Sequence, residues 1–205
     1  MNKEESYVYG LLITDGSLSL NTRNRGKVSL EVSRKDEDII YKLCNLIPNS
    51  HQRERTRDTN FKKDHATRIF SNTRREFREK LISQGFPVIN KTLNASPPIL
   101  DYSEFDFWRG VIDGDGSIGI TSKDIPFISL VTKSEKLKNS YTMFIKKIFN
   151  YDIKVNPNKR DNVYNIMITK KRAVVLANKL YIEGNPTIYL DRKYNKALEL
   201  QNYIY

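Results

Sequence analysis

The strongest constraint on this chain is an internal repeat whose period is close to half its length. Tyr9-Gly10-Leu11-Leu12-Ile13-Thr14-Asp15-Gly16-Ser17-Leu18 aligns with Arg109-Gly110-Val111-Ile112-Asp113-Gly114-Asp115-Gly116-Ser117-Ile118 at an offset of 100. Val28-Ser29-Leu30 aligns with Ile128-Ser129-Leu130 at the same offset, and Ile89-Asn90-Lys91 with Leu190-Asp191-Arg192 at an offset of 101. Matched segments in one order imply two copies of one unit related by pseudo-twofold symmetry. With 205 residues, the chain is long enough to bury a real core.

Both copies read alike. A helix is expected over Ser6–Thr14 and again over Glu104–Gly114, each closed by Asp-Gly turn chemistry. Lys27 to Ser33 alternates apolar and polar residues, the period of a half-buried strand, and Asn24-Arg25-Gly26 before it suits a hairpin turn. Phe127 to Lys133 alternates less cleanly. Helices follow over Glu37–Leu46 and Lys136–Phe149, then hairpins at about 51–71 and 152–169, then helices over Arg74–Gln84 and Lys171–Leu180. Pro87 to Leu100, with Pro97-Pro98, reads as an extended joint. The predicted fold is α+β, two αββαββα units with curved antiparallel sheets, divided at 1–98 and 99–205.

Charge narrows the partner. Lys and Arg number 35 against 24 Asp and Glu, a net charge of +11, which suits a polyanion such as nucleic acid. A single cysteine, Cys44, excludes an internal disulfide framework and a Cys-clustered zinc site. No apolar run is long enough to span a bilayer, and the opening Met1-Asn2-Lys3-Glu4-Glu5-Ser6 lacks the basic-then-apolar order of a signal peptide. The expectation is an intracellular protein with no membrane partner, in an organelle such as the mitochondrion or in a microbial cytoplasm.

Asp15 and Asp115 lie where predicted helices end, and a helix C-terminus disfavours a carboxylate by about 0.3–1 kcal/mol. Gly10 and Thr14 are four apart, as are Gly110 and Gly114, so small residues line one face of each helix and permit close approach. Packing along those faces would bring Asp15 and Asp115 together. Two carboxylates at two negative helix ends repel unless a cation sits among them. Mg²⁺ accepts oxygen ligands, water and phosphate, and beside a phosphodiester such a pair is a hydrolytic arrangement. The alternative is a plain C-cap turn at each place. Asp113 has Ile13 as its counterpart and is no symmetric member of the pair.

The strands suggest a nucleic-acid face. Ser29, Glu31 and Ser33 alternate with Val28, Leu30 and Val32, and Arg53, Arg55 and Arg57 are spaced to share one side of a strand. Guanidinium groups so arranged suit guanine edges or phosphates, although Glu54 and Asp58 nearby also fit a solvated charged face. Lys154 and Asn156 hold the comparable place in the second unit, where Pro157 equally suits a loop. His51 and His65 have no repeat partners and read as strand or loop residues, Cys44 as core and Trp108 as helix packing.

Val8–Gly16 and Trp108–Gly116 resemble the LAGLIDADG motif, the second closely, as Trp-Arg-Gly-Val-Ile-Asp-Gly-Asp-Gly. The chain resembles a double-motif LAGLIDADG homing endonuclease over nearly its whole length. That resemblance implies a monomer with a central two-helix seam, hydrolysing one phosphodiester per strand of a long double-stranded DNA site across the minor groove. It implies Asp15 and Asp115 as catalytic metal ligands for Mg²⁺, with Mn²⁺ or Ca²⁺ able to replace it in binding, and claims no main-chain ligand at Thr14. It adds basic residues near the active site: Arg34 and Lys133 after the second strand, and Lys91 and Lys193, with Arg192 as the alternative to the last. The first motif departs from the pattern at Tyr9 and Ile13. The other readings are a maturase acting on its host intron RNA and a non-cleaving sequence-specific DNA-binding protein.

Overall fold

The computed structural model describes residues 1–22, 25–58 and 64–203. Asn24 of the expected turn and the tip of the 51–71 hairpin lie outside the described residues. Helix α1 (Lys3–Thr14) starts from a capping box, in which the Asn2 side chain accepts from Glu5 N and the Glu5 carboxylate accepts from Asn2 N. Strands β1 (Gly16–Asn21) and β2 (Arg25–Ser33) follow, then a 3-10 turn (Arg34–Asp36) and α2 (Asp38–Leu46). Next come β3 (Ser50–Arg57), β4 (His65–Asn72) and α3 (Arg75–Ser83). After the short α4 (Lys91–Asn94), the chain enters α5 (Glu104–Asp115), β5 (Gly116–Ile120), β6 (Pro126–Thr132) and α6 (Glu135–Phe149). It ends with β7 (Tyr164–Thr169), α7 (Lys171–Tyr181) and α8 (Asp191–Gln201).

The strands form two antiparallel sheets, ordered β1-β2-β4-β3 and β5-β6-β7. Equivalent positions pair alike: Gly16 opposes Leu30 in one sheet and Gly116 opposes Leu130 in the other. Val28, Leu30 and Phe70 bury one face of the first sheet, and Ile128, Leu130 and Ile166 one face of the second. Alternation thus placed the apolar set inward, as its period requires.

The α+β class and antiparallel sheets match the sequence reading, and three expectations fail. The 152–169 hairpin forms only its second strand. Residues 151–158 join no ladder, although Ile153 and Val155 still pack on the core. Pro157 has no N–H to donate, and the chain turns through Asn158 N to Val163 O (2.9 Å) instead. The joint over 87–100 is interrupted by α4. An additional helix, α8, follows α7; Lys193, Ala197 and Leu200 are its buried residues.

Helices α1 and α5 make the central contact. A Cβ at Gly10 would overlap the Phe107 carbonyl oxygen, and one at Gly110 the Tyr7 carbonyl oxygen, so the main chains touch directly. Tyr9 occupies a small-residue position of the motif without disturbing this seam, because its buried ring meets Phe86 edge-on at 5.6 Å. Trp108 is buried against Tyr141 (4.9 Å) and Phe144 (5.5 Å). Among the described residues, no helix is long and apolar enough to cross a membrane.

Candidate active site and nucleic-acid interface

The close crossing of α1 and α5 carries through to their C-terminal ends. A Cβ on Gly114 would strike Thr14 Oγ1 and lie 3.6 Å from the Asp15 carboxyl carbon. Asp15 therefore rests on the last turn of the opposite helix, next to Asp115. Both acids remain accessible to solvent, above a floor of packed main chain. Crowding by the protein raises both carboxyl pKa values, and the Asp15 charge helps push Asp115 up to about 6.

Two lysines answer the negative helix ends. Lys91 Nζ donates to Leu12 O (3.4 Å), Ile13 O (3.1 Å) and Thr14 O. Lys193 Nζ donates to Ile112 O (2.5 Å), Asp113 O (2.7 Å), Gly114 O (3.4 Å) and Gly116 O (2.8 Å). Equivalent carbonyls are thus capped by side chains one register step out of the repeat, since Lys91 aligns with Arg192. The pull on the acids is crossed: of the two lysines, Lys193 weighs more on Asp15 and Lys91 more on Asp115. Burial lowers both lysine pKa values against the opposing pull of the acids.

A cleft of about 270 Å³ opens beside Asp15, with Asp36, Asp113, Gly114, Arg192 and Lys193 in its lining. Arg192 is held there by Asp36, Nε to Oδ1 at 2.8 Å and Nη2 to Oδ2 at 3.1 Å. Asp113 is no part of the exposed pair. Its buried carboxylate accepts from Tyr7 Oη (2.6 Å), Tyr181 Oη (2.7 Å) and Leu190 N (2.8 Å), tying α1, α7 and the start of α8 to α5. Sequence reasoning missed this knot and the Asp36 contact, because neither has a counterpart in the repeat. Ile13 opposite Asp113 was the available signal of asymmetry.

The outward face of the first sheet gathers most of the predicted contact residues. Register places Arg53 beside Ile69 and Glu31, and Arg55 beside Thr67 and Ser33. Ser29 opposes Ser17 on that face, their hydroxyls 2.9 Å apart. Arg57 is at its end, opposite His65, and Arg53, Arg55 and Arg57 are all exposed. Glu31 is already engaged by Thr67 Oγ1 (2.7 Å), Arg55 (3.5 Å) and Arg57 (3.6 Å). Arg34 pairs with Glu54 at 3.4 Å, both in solvent. Lys133 is exposed just after β6, and Lys154 and Asn156 are exposed on the extended segment outside the second sheet. The second sheet, with three strands, therefore differs from the expected four-stranded copy.

Solved structures share the fold. The homing endonuclease I-WcaI bound to its DNA recognition sequence superposes with a TM-score of 0.65 at 15% identity, covering 95% of this chain and 85% of its own. I-SmaMI bound to an uncleaved DNA target with calcium ions gives 0.58 at 12%, covering 96% and 88%. This chain has the LAGLIDADG fold. The N-terminal LAGLIDADG domain of WhiA shares it too, with a TM-score of 0.52 at 10% identity over 89% of this chain and 84% of its own. By sequence, residues 103–180 match the LAGLIDADG-like domain family, a span that holds the second motif. No curated protein sequence matches the chain.

Proposed function

We propose that this chain is a site-specific double-strand DNA endonuclease that works as a two-motif monomer. Residues 1–98 and 99–205 would each supply one motif helix, one sheet and one catalytic acid. The observation that carries the reading is the meeting of Asp15 and Asp115 at adjoining helix ends, although 100 residues separate them in the chain. One phosphodiester of each strand would be hydrolysed across the minor groove.

The pair fits a divalent cation. Among the described residues no cluster of three or more His, Cys, Asp or Glu exists to cage a metal. Mg²⁺ suits such a sparse donor set, being held by one or two carboxylates together with water and substrate phosphate. Mn²⁺ or Ca²⁺ would use the same oxygens. A bound cation there supplies Lewis acidity and lowers the pKa of water. Asp15 and Asp115 would hold it. Lys91 and Lys193 fix the helix ends that present the acids, and place positive charge beside the phosphate being attacked. Arg53, Arg55, Arg57, Ser29 and Ser33 would contact one half-site, with Arg34 at its margin; Lys133, Lys154 and Asn156 would contact the other.

One observation favours a second reading, an intron-RNA maturase or a non-cleaving DNA-binding protein: both lysine ammonium groups are turned onto main-chain carbonyls. Digestion of a randomised duplex library with Mg²⁺, and with Ca²⁺ in parallel, separates the two. The endonuclease cuts a defined sequence with Mg²⁺ and retains it with Ca²⁺. Binding without any Mg²⁺-dependent cut refutes the endonuclease. An intracellular setting, organellar or microbial, is part of the same proposal.

A further inference from the structure

We propose that the two sheets read their half-sites by different chemistries, the first through charge and the second through apolar and amide contacts that select T·A pairs. This inference rests on the DNA-binding reading above.

The two outward faces are equivalent in register and opposite in character. On the first sheet, Arg25, Lys27, Arg53, Arg55 and Arg57 share the face with a single carboxylate, Glu31. On the second sheet the same face carries Ser117, Ser129, Val131, Asn165 and Met167, and no charged residue at any strand position. Its cations are marginal to the strands: Lys133 follows β6, and Lys154 lies on the segment that failed to pair. Val131 is 42% exposed and Met167 49% exposed, although both are large apolar side chains on a solvent-facing sheet. Met167 opposes Ser129, the next outward residue along β6 from Val131, so the two apolar groups are diagonal neighbours.

A β-ribbon fits the major groove, where the thymine methyl is the one apolar feature and guanine is read chiefly by Arg or Lys. A face without Arg or Lys lacks the side chains that read guanine best. Val131 and Asn165 are direct cross-strand partners. Asn pairs bidentately with adenine N6 and N7. An amide for adenine therefore stands beside an apolar group for the thymine methyl. The substrate class that follows is a duplex with one half-site enriched in T·A under β5–β7. The rim lysines hold its phosphates.

The test uses the wild-type protein and duplexes selected from a randomised library in Ca²⁺. The half-site under the first sheet is the one whose base preferences change in Arg53→Ala. In the other half-site, each thymine is replaced singly by deoxyuridine, which removes only the methyl. Binding is expected to weaken about fourfold for each contacted methyl, with no change from the same replacement in the first half-site. The Val131→Ser, Met167→Gln double variant is expected to bind thymine and deoxyuridine duplexes equally. Equal affinity of the wild-type protein for the two, or a second half-site without T·A preference, overturns the inference and leaves the endonuclease reading standing. Failure to bind any duplex overturns both.

Discussion

Gly110→Ala tests the seam that brings the two acids together. The added Cβ would overlap Tyr7 O and come within 2.8 Å of Leu11 N and 3.1 Å of Tyr7 C. All three are main-chain atoms of a buried helix, so no flexible side chain can yield. Replacing Gly by Ala inside a helix contributes about 1 kcal/mol in favour of folding. Overpacking against backbone costs about 3 kcal/mol, the upper part of the usual range. The net loss is then about 2 kcal/mol, which lowers the melting temperature by roughly 4–8 °C for a chain of this size. Gly119→Ala is the control. Its nearest neighbours are the Phe127 ring atoms Cε1 at 3.6 Å and Cζ at 3.8 Å, ordinary contact distances, so stability should hold or rise by up to about 1 kcal/mol. Thermal unfolding followed by circular dichroism decides. If Gly110→Ala melts with the wild type, the helices do not pack main chain to main chain and the argument for adjacent acids fails.

Lys193→Met removes the buried ammonium from four carbonyl partners and should cost about 2–3 kcal/mol in urea unfolding. It should also raise the Asp15 pKa, because Lys193 now holds it down. Asp113→Asn sets an amide where two tyrosine hydroxyls and Leu190 N all donate. A loss of about 1–3 kcal/mol is expected, measured the same way. In chelator, the raised Asp115 pKa makes its ionisation unfavourable in the folded state. Between the ordinary value of 3.8 and about 6 the folded state binds the extra proton, so this group's contribution to stability falls as pH rises through that window and is level above it. Asp115→Asn should abolish that contribution and melt higher than the wild type at pH above it, an advantage that added Mg²⁺ reverses.

Much of this architecture was legible in the sequence because it rests on short-range rules. Small residues four apart, Gly10 with Thr14 and Gly110 with Gly114, encode a seam, and alternation from Val28 to Val32 encodes an inward face. Both survived because tertiary packing agreed with local pattern. The repeat misled where the copies diverge. It suggests a second hairpin over about 152–169, but only β7 forms, and Pro157 removes a ladder donor from the preceding segment. Helix α8 escaped notice because its buried stripe of Lys193, Ala197 and Leu200 includes a lysine, which no apolar periodicity registers. The site showed the same division. Asp15 and Asp115 pair by symmetry, and their mutual repulsion calls for a cation. The structure places two lysines at those helix ends, and each caps carbonyls that only the folded chain brings within reach. Asp113 with Tyr7 and Tyr181, and Asp36 with Arg192, are long-range contacts without any spacing signature.

Strand-resolved cleavage of the selected duplex by Asp15→Asn and by Asp115→Asn, with binding in Ca²⁺ measured alongside, decides whether both acids serve the chemistry. Neither variant should make a double-strand break, while both should still bind the target. Wild-type cleavage of both strands by either variant would contradict that role, since the acid replaced would then take no part in the chemistry.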